Sequence, residues 1–149
     1  MAFNMEGEIE LAASREIVWK MLNDPQVLKE CIPGCEELQE VEGGFKAIAK
    51  MKVGPVSARF VGQVKLSDLD PPNGYRISGE GEGGIAGFAK GGATVQLRES
   101  EAGTLLNYRV DAQIGGKLAQ LGQRLIGGTA KKMADQFFNS FGLLVQQVK

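Results

Sequence analysis

The sequence predicts an α+β fold in which a curved, seven-stranded antiparallel sheet wraps around one long C-terminal helix, with two short helices after the first strand. Two observations predict it. Apolar residues recur every three or four positions from about residue 117 to residue 148, which is the period of one helix face. Seven earlier segments alternate apolar and polar residues instead, as half-buried strands do, and most are separated by glycine-containing turns.

The N-terminal part of the chain predicts one strand and two short helices. Residues 3–11 place apolar side chains on one face and glutamates on the other. Ser14 is a suitable N-cap for a helix over residues 15–22. Asp24 caps the second helix, in which Pro25 takes the first position, where proline is well tolerated. A Pro-Gly turn then ends this helical region.

The middle of the chain predicts an antiparallel meander. The expected strands are residues 36–41, 45–53, 56–66, 75–81, 85–98 and 104–114. Short turns join most of them, and residues 68–74 form a longer loop. Because the alternation is regular, one face of the sheet should be solvated and the other should be covered by the C-terminal helix.

The predicted C-terminal helix has about 30 residues and a length of about 45 Å, so it needs a broad apolar partner surface, which the sheet supplies. Gly127 and Gly128 lie in its middle, where each costs about 1 kcal/mol relative to alanine. Two interpretations remain open. The pair could mark a kink or a tight crossing over the sheet, or it could form a hinge that lets the helix lift for ligand entry.

Length and charge limit the class of protein. The 149 residues suit one domain spanning residues 1–149. A net charge of −1 offers no basic surface for nucleic acid or anionic lipid, so no nucleic-acid partner is expected. No apolar run approaches the roughly 20 residues of a membrane span, and the first eleven residues do not resemble a signal peptide. We therefore expect a cytoplasmic protein.

Few residues could support catalysis or metal binding. Histidine is absent, and two cysteines alone cannot complete a zinc site. Residues 79–84 match G-x-G-x-x-G, but no helix follows and two glutamates would repel phosphate, so a turn between strands is expected. Residues 115–118 lack the Ser or Thr of a P-loop. We predict no catalytic residue, no metal and no cofactor.

The inward face of the sheet combines a few bulky residues with many alanines and glycines. A close-packed core would contain mainly leucine, isoleucine and valine. Small residues under a helix therefore imply either a ligand pocket or an unusually close approach of the helix, and the sequence leaves both open. Two phenylalanines one helical turn apart could flank a flat ring. The candidate ligand-binding residues are Met51, Phe60, Tyr75, Ala93, Tyr108, Met133, Phe137 and Phe141.

Two further groups of residues have alternative interpretations. Cys31 and Cys35 flank the Pro-Gly turn, near the expected pocket mouth, and are either inert thiols or a redox or gating pair. Five basic residues lie on the outward face of two adjacent predicted strands. They form either a solvated face or a docking patch for an acidic partner. These residues are Lys46, Lys50, Lys52, Arg59 and Lys65.

The order of elements resembles the helix-grip fold of the START and plant pathogenesis-related superfamily, abbreviated SRPBCC. Three local strings narrow the resemblance. They are Asn23-Asp24-Pro25 followed by Cys31-Ile32-Pro33-Gly34-Cys35-Glu36, Lys52-Val53-Gly54-Pro55-Val56, and Ala134-Asp135-Gln136-Phe137-Phe138. Their order and spacing are similar to those of the carbon monoxide dehydrogenase CoxG family, over nearly the whole chain.

The resemblance implies a non-catalytic protein that accompanies a molybdenum hydroxylase of the carbon monoxide dehydrogenase type. It implies an apolar ligand such as a quinone or another lipid, and a link between the enzyme and the membrane. Many members carry a C-terminal membrane-binding extension, whereas this chain stops at Lys149. The expectation here is therefore transient contact with the inner face of the membrane.

Two alternatives accompany this expectation. One is an enzyme of the polyketide cyclase or hydrolase type on the same fold, which would use Tyr75 or Tyr108 for acid-base chemistry. The other is an assembly or interaction subunit that binds no ligand and uses its lysine face.

Overall fold

The computed structural model describes residues 1–148 and has the predicted α+β architecture, with seven strands, two short helices after the first strand and a long C-terminal helix. The elements are β1 (Ala2–Leu11), α1 (Arg15–Leu22), α2 (Pro25–Cys31), β2 (Cys35–Val41), β3 (Gly44–Val53), β4 (Val56–Asp70), β5 (Gly74–Glu82), a 3₁₀ turn (Gly84–Ala86), β6 (Phe88–Ser100), β7 (Gly103–Gly115), α3 (Lys117–Gln120) and α4 (Gly122–Val148).

The seven strands form one antiparallel sheet in the order β1-β7-β6-β5-β4-β3-β2. Each strand from β2 to β6 pairs with the next strand in the chain, because short turns join them. β1 pairs with β7, so β1 and β2 lie at opposite edges of the sheet. The chain therefore crosses the width of the sheet through α1 and α2.

Local sequence signals determine the two short helices, as predicted. The backbone N–H of Ile17 donates to the Ser14 hydroxyl at 3.4 Å, which caps α1. The backbone N–H of Gln26 donates to the Asp24 carboxylate at 2.9 Å, and Pro25 occupies the first turn of α2.

The covered face of the sheet contains two separate clusters of buried residues. The first cluster joins α1, α2 and the C-terminal half of α4 to one end of the sheet, and it contains Val18, Leu106 and Phe141. The second joins α3 and the N-terminal half of α4 to the other end, and it contains Phe3 and Ile126. Burial of these apolar side chains stabilises the docking of α4.

The structure corrects the prediction of one uninterrupted helix from residue 117. The helix is broken between α3 and α4, at Leu121, and α4 begins with Gly122 at a φ of 86°. A left-handed conformation at this position requires a new helix start, and glycine adopts it without steric cost. Apolar periodicity continues across the break, which is why the pattern did not reveal it.

Three strand boundaries also differ from the prediction. Ile85 was expected in β6 but lies in the 3₁₀ turn, where it is 84% exposed. β4 continues to Asp70 through an irregularity in its pairing with β5, where Asp68 has a φ of 51°, so the predicted loop at 68–74 is shorter. Most of the glycine-rich segment expected to be a turn belongs instead to β5, which ends at Glu82.

Gly127 and Gly128 lie inside an unbroken α4, so the expected kink is not the point at which the helix is interrupted. A methyl group on Gly127 would meet the Phe3 ring at 3.8 Å, an ordinary contact, and one on Gly128 would meet no described atom within 4 Å. Neither glycine is therefore required by a tight crossing over the sheet.

We expect Gly127→Ala and Gly128→Ala each to raise the free energy of unfolding by about 0.5–1 kcal/mol, because alanine restricts the unfolded chain and fits both sites. Urea denaturation measures the change. Gly122→Ala is the control, and its positive φ should make the same substitution destabilising. If the pair is a hinge, the double variant will also take up ligand more slowly, so unchanged uptake would contradict the hinge interpretation.

Candidate functional site

A cavity of about 600 Å³ lies between the covered face of the sheet and α4. Its lining includes residues of all seven strands, α2 and α4, and consists almost entirely of apolar groups. The two core clusters lie at its two ends. The cavity therefore interrupts what would otherwise be one continuous core.

Small residues in register across neighbouring strands create this space. Ala47, Gly62, Gly81 and Ala89 are successive partners on β3, β4, β5 and β6. A second row contains Gly79, Gly91 and Ala112 on β5, β6 and β7. The two rows form a floor with almost no side-chain volume. Ala134 is the small residue of α4 that faces this floor.

The helix does not approach this floor closely. A methyl group built on Gly81 would meet only backbone atoms of β4, at 3.9 Å or more, and one on Gly62 would meet only backbone atoms of β5. Within the described residues, no atom of α4 lies within 4 Å of either position. Close packing of helix on sheet, the alternative that the sequence left open, is therefore excluded over this part of the floor.

Six of the eight candidate ligand-binding residues line the cavity. They are Met51, Phe60, Tyr75, Ala93, Tyr108 and Phe137. They come from the strands β3 to β7 and from α4, and the inward alternation of the strands brings them together. Their role in ligand binding remains a prediction.

Phe141 and Met133 are placed elsewhere. Phe141 is fully buried in the first core cluster, and its ring stacks on that of Phe137 with a centroid distance of 5.8 Å and an angle of 11°. A flat ligand ring does not fit between two rings at this distance, so the expected flanking arrangement is wrong. One turn toward the C-terminus places Phe141 beyond the cavity, against α1. Met133 is half-buried on α4 outside the lining.

Several lining residues were missed by the sequence analysis. Leu28 and Ile32 reach the cavity from α2 and its C-terminal cap, and Leu38 reaches it from the edge strand β2. The four-residue spacing of Leu28 and Ile32 was a usable signal, because it places both on one face. Phe138 also lines the cavity, although it follows Phe137 directly.

The two tyrosines occupy the cavity wall on β5 and β7. Tyr75 on β5 packs its ring edge-on against Trp19, with centroids 5.1 Å apart. The Tyr108 ring stacks on Phe138 at 5.3 Å and lies against the Cα of Gly7. Burial raises the pKa of both phenols above the ordinary value, and Asp135 raises that of Tyr108 further. Both hydroxyls are therefore protonated at neutral pH.

The cysteines are chemically quiet. Cys31 is buried, and Cys35 is half-buried with its thiol donating to the Glu37 carbonyl at 3.4 Å. The two thiols are not bonded to each other. Burial raises the pKa of both thiols, which lowers the thiolate fraction that reactivity requires.

The basic residues of β3 and β4 all point outward and are exposed. One of them, Arg59, is held by Glu36 in a two-point ion pair with a shortest distance of 2.6 Å. This interaction lowers the pKa of the Glu36 carboxyl. The lysines of this face, Lys46, Lys50, Lys52 and Lys65, form no ion pair within residues 1–148.

Residues 1–148 offer neither a membrane-spanning helix nor a metal site built from acidic and thiol groups. None of their helices combines the length and hydropathy needed to cross a bilayer. No group of three or more acidic or thiol side chains in this part of the chain is suitably placed to hold a metal ion.

The fold and cavity together define a class: an SRPBCC helix-grip protein with an apolar internal cavity. Two solved structures with low sequence identity share this fold. The Zhui aromatase/cyclase from Streptomyces sp. R1128 superposes with a TM-score of 0.71 at 13% identity, covering 99% of this chain and 95% of its own. Ara h 8.0201 superposes with a TM-score of 0.68 at 13% identity, covering 99% of each chain.

The chain belongs to the carbon monoxide dehydrogenase CoxG family, whose model matches residues 7–145. It is also similar to a conserved protein from Geobacillus kaustophilus, with 33% identity, a TM-score of 0.91, and coverage of 97% of this chain and 96% of that one. A comparison with curated proteins gives no match.

Proposed function

We propose that this protein is a non-catalytic carrier of an apolar, partly aromatic small molecule such as a quinone or another lipid. In this proposal it serves as an accessory to a carbon monoxide dehydrogenase-type molybdenum hydroxylase. The observation that carries the proposal is the cavity of about 600 Å³ over a floor of alanine and glycine.

Size and lining support an apolar ligand. Small-molecule sites typically have volumes of about 300–1,000 Å³, and this cavity lies within that range. An apolar space can stay dry when empty, so an apolar ligand does not have to displace well-ordered water. Phe60, Phe137 and Phe138 supply aromatic surface for a ring.

The chemistry of the lining supports a carrier over a cyclase or hydrolase. Tyr75 and Tyr108 are the lining residues at inward positions of the described sheet whose side chains carry a polar group. Their raised pKa values move them away from neutral pH, whereas an efficient general base has a pKa near the working pH. Loss of turnover on replacing either tyrosine would favour the enzyme alternative.

The partner enzyme is inferred from the family, whose name refers to carbon monoxide dehydrogenase. The exposed lysines of β3 and β4 are the surface we assign to docking, because a solvated basic patch can steer an acidic partner. Transient membrane contact for loading the ligand is part of the same proposal. An interaction subunit without ligand would depend on the lysines alone, so replacing Lys50 and Lys52 and measuring hydroxylase binding separates the two.

Native mass spectrometry of the purified protein, followed by solvent extraction, tests the carrier role. We expect a co-purified apolar molecule, or uptake of one added quinone molecule per chain. The cavity is preformed, so uptake should not require unfolding. If the protein contains no ligand and takes up no added quinone, the carrier proposal is wrong and the interaction-subunit alternative is favoured.

A further inference from the structure

Tyr75 is the deeply buried tyrosine of the cavity wall. It is the first inward residue of β5, where it pairs with Val95 of β6, and its side chain is part of the cavity lining. Only 5% of the residue is exposed. Edge-on packing against Trp19 and inclusion in the first core cluster hold the ring in place. The position of its hydroxyl is therefore fixed before any ligand binds.

This hydroxyl forms no hydrogen bond with any residue from 1 to 148. The buried hydroxyl of Thr104 behaves differently, because it donates to the Ala13 carbonyl at 2.7 Å. A buried hydroxyl without a partner is unfavourable, so such groups are nearly always satisfied by protein, water or ligand. The Tyr75 hydroxyl thus has an unused donor beside a space large enough for a small molecule.

The remaining polar residues of the lining do not offer an equivalent group. Gln63, Glu80, Lys90 and Asp111 occupy outward positions in the register of their strands, so their side chains leave the cavity. The Tyr108 ring leans over Gly7, next to the exposed pair formed by Lys131 and Asp135 of α4.

We propose that the Tyr75 hydroxyl donates a hydrogen bond to an oxygen acceptor of the bound molecule, and that the natural ligand is therefore an apolar ring system carrying a carbonyl oxygen. This inference rests on the proposed carrier function and narrows its ligand class to molecules with an acceptor at the Tyr75 end. Plain hydrocarbons and saturated acyl chains lack the group that this site recognises.

A pair of probes with the same two-ring carbon frame isolates the hydrogen bond. 1,4-Naphthoquinone carries two carbonyl oxygens, and naphthalene carries none. We expect the Tyr75→Phe variant to bind naphthoquinone about fivefold more weakly than the unchanged protein does, because one hydrogen bond is lost. Naphthalene affinity should change by less than about twofold, since the variant keeps the ring. Titration calorimetry or fluorescence of Trp19 measures both affinities.

Tyr108→Phe is the matched control, because it removes the other cavity hydroxyl and should leave the ratio of the two affinities unchanged. Equal effects of Tyr75→Phe on both probes, or no effect on naphthoquinone, would overturn the inference. A fall in the stability of the empty Tyr75→Phe variant would also overturn it, since that would show the hydroxyl to be already bonded. If the unchanged protein binds neither probe, the carrier proposal itself fails.

Discussion

Replacing Ala93 with phenylalanine is expected to weaken binding of a ring-containing ligand by at least tenfold, about 1.4 kcal/mol. Ala93 lies on the cavity wall at an inward position of β6, between Val110 and Ile77 on the neighbouring strands. The introduced ring would occupy the space assigned to the ligand. Because that space already exists, the protein should retain or gain stability, by up to about 2 kcal/mol as in other cavity-filling substitutions.

Gln96→Phe is the matched control for this experiment. It introduces the same side chain on the same strand, but at an exposed outward position. Its affinity for a quinone probe should equal that of the unchanged protein. Unfolding measured in denaturant separates a filled cavity from a damaged fold. Equal affinities for Ala93→Phe and the unchanged protein would show that the ligand binds outside this cavity.

Phe141→Ala is expected to have the largest effect on stability, a loss of about 3–5 kcal/mol. Phe141 is fully buried among residues of α1, β6 and β7, and it packs against the ring of Phe137. Close packing on every side prevents neighbouring residues from collapsing into the new space. In a protein of this size the midpoint of thermal unfolding should fall by about 6–20 °C, which calorimetry or circular dichroism can measure.

Phe137→Ala distinguishes the cavity wall from the core. Phe137 lines the cavity, so one side of its ring already lacks packing partners, and its removal should cost less stability than removal of Phe141. It should weaken ligand binding, whereas Phe141→Ala should leave the affinity of the folded fraction nearly unchanged. The reverse result, with Phe141 controlling affinity, would restore the original expectation that both phenylalanines contact the ligand.

Alternation and helical caps made most of the fold predictable. The face of each strand follows from every second residue, and the Ser14 and Asp24 caps determine where the short helices start. The break between α3 and α4 was not predictable in this way, because it depends on the left-handed backbone of Gly122 while apolar spacing continues across it. Ile85 illustrates a second limit, since an apolar residue next to a strand can lie in an exposed turn.

The candidate site was predictable where it depends on the sheet. Alanines and glycines at inward positions indicated a floor without side chains, and strand register places them side by side. The boundary of the cavity along α4 was not predictable, because the periodicity of Met133, Phe137 and Phe141 gives a common face but not the depth at which α1 closes the space. The contribution of Ile32 depends on how α2 folds over the sheet, which local pattern does not determine.

The open sheet leaves two strands with unpaired backbone groups, and both carry the same charge. β1 presents Glu6, Glu8 and Glu10 on its exposed face, and β2 presents exposed Glu36, Glu37 and Glu40. If two molecules joined their sheets edge to edge, carboxylates would approach carboxylates whichever edges met. Like charge at sheet borders is a recognised protection against aggregation. A protein that must keep its sheet open around a hollow interior thus gains colloidal stability from the acidic residues at its margins.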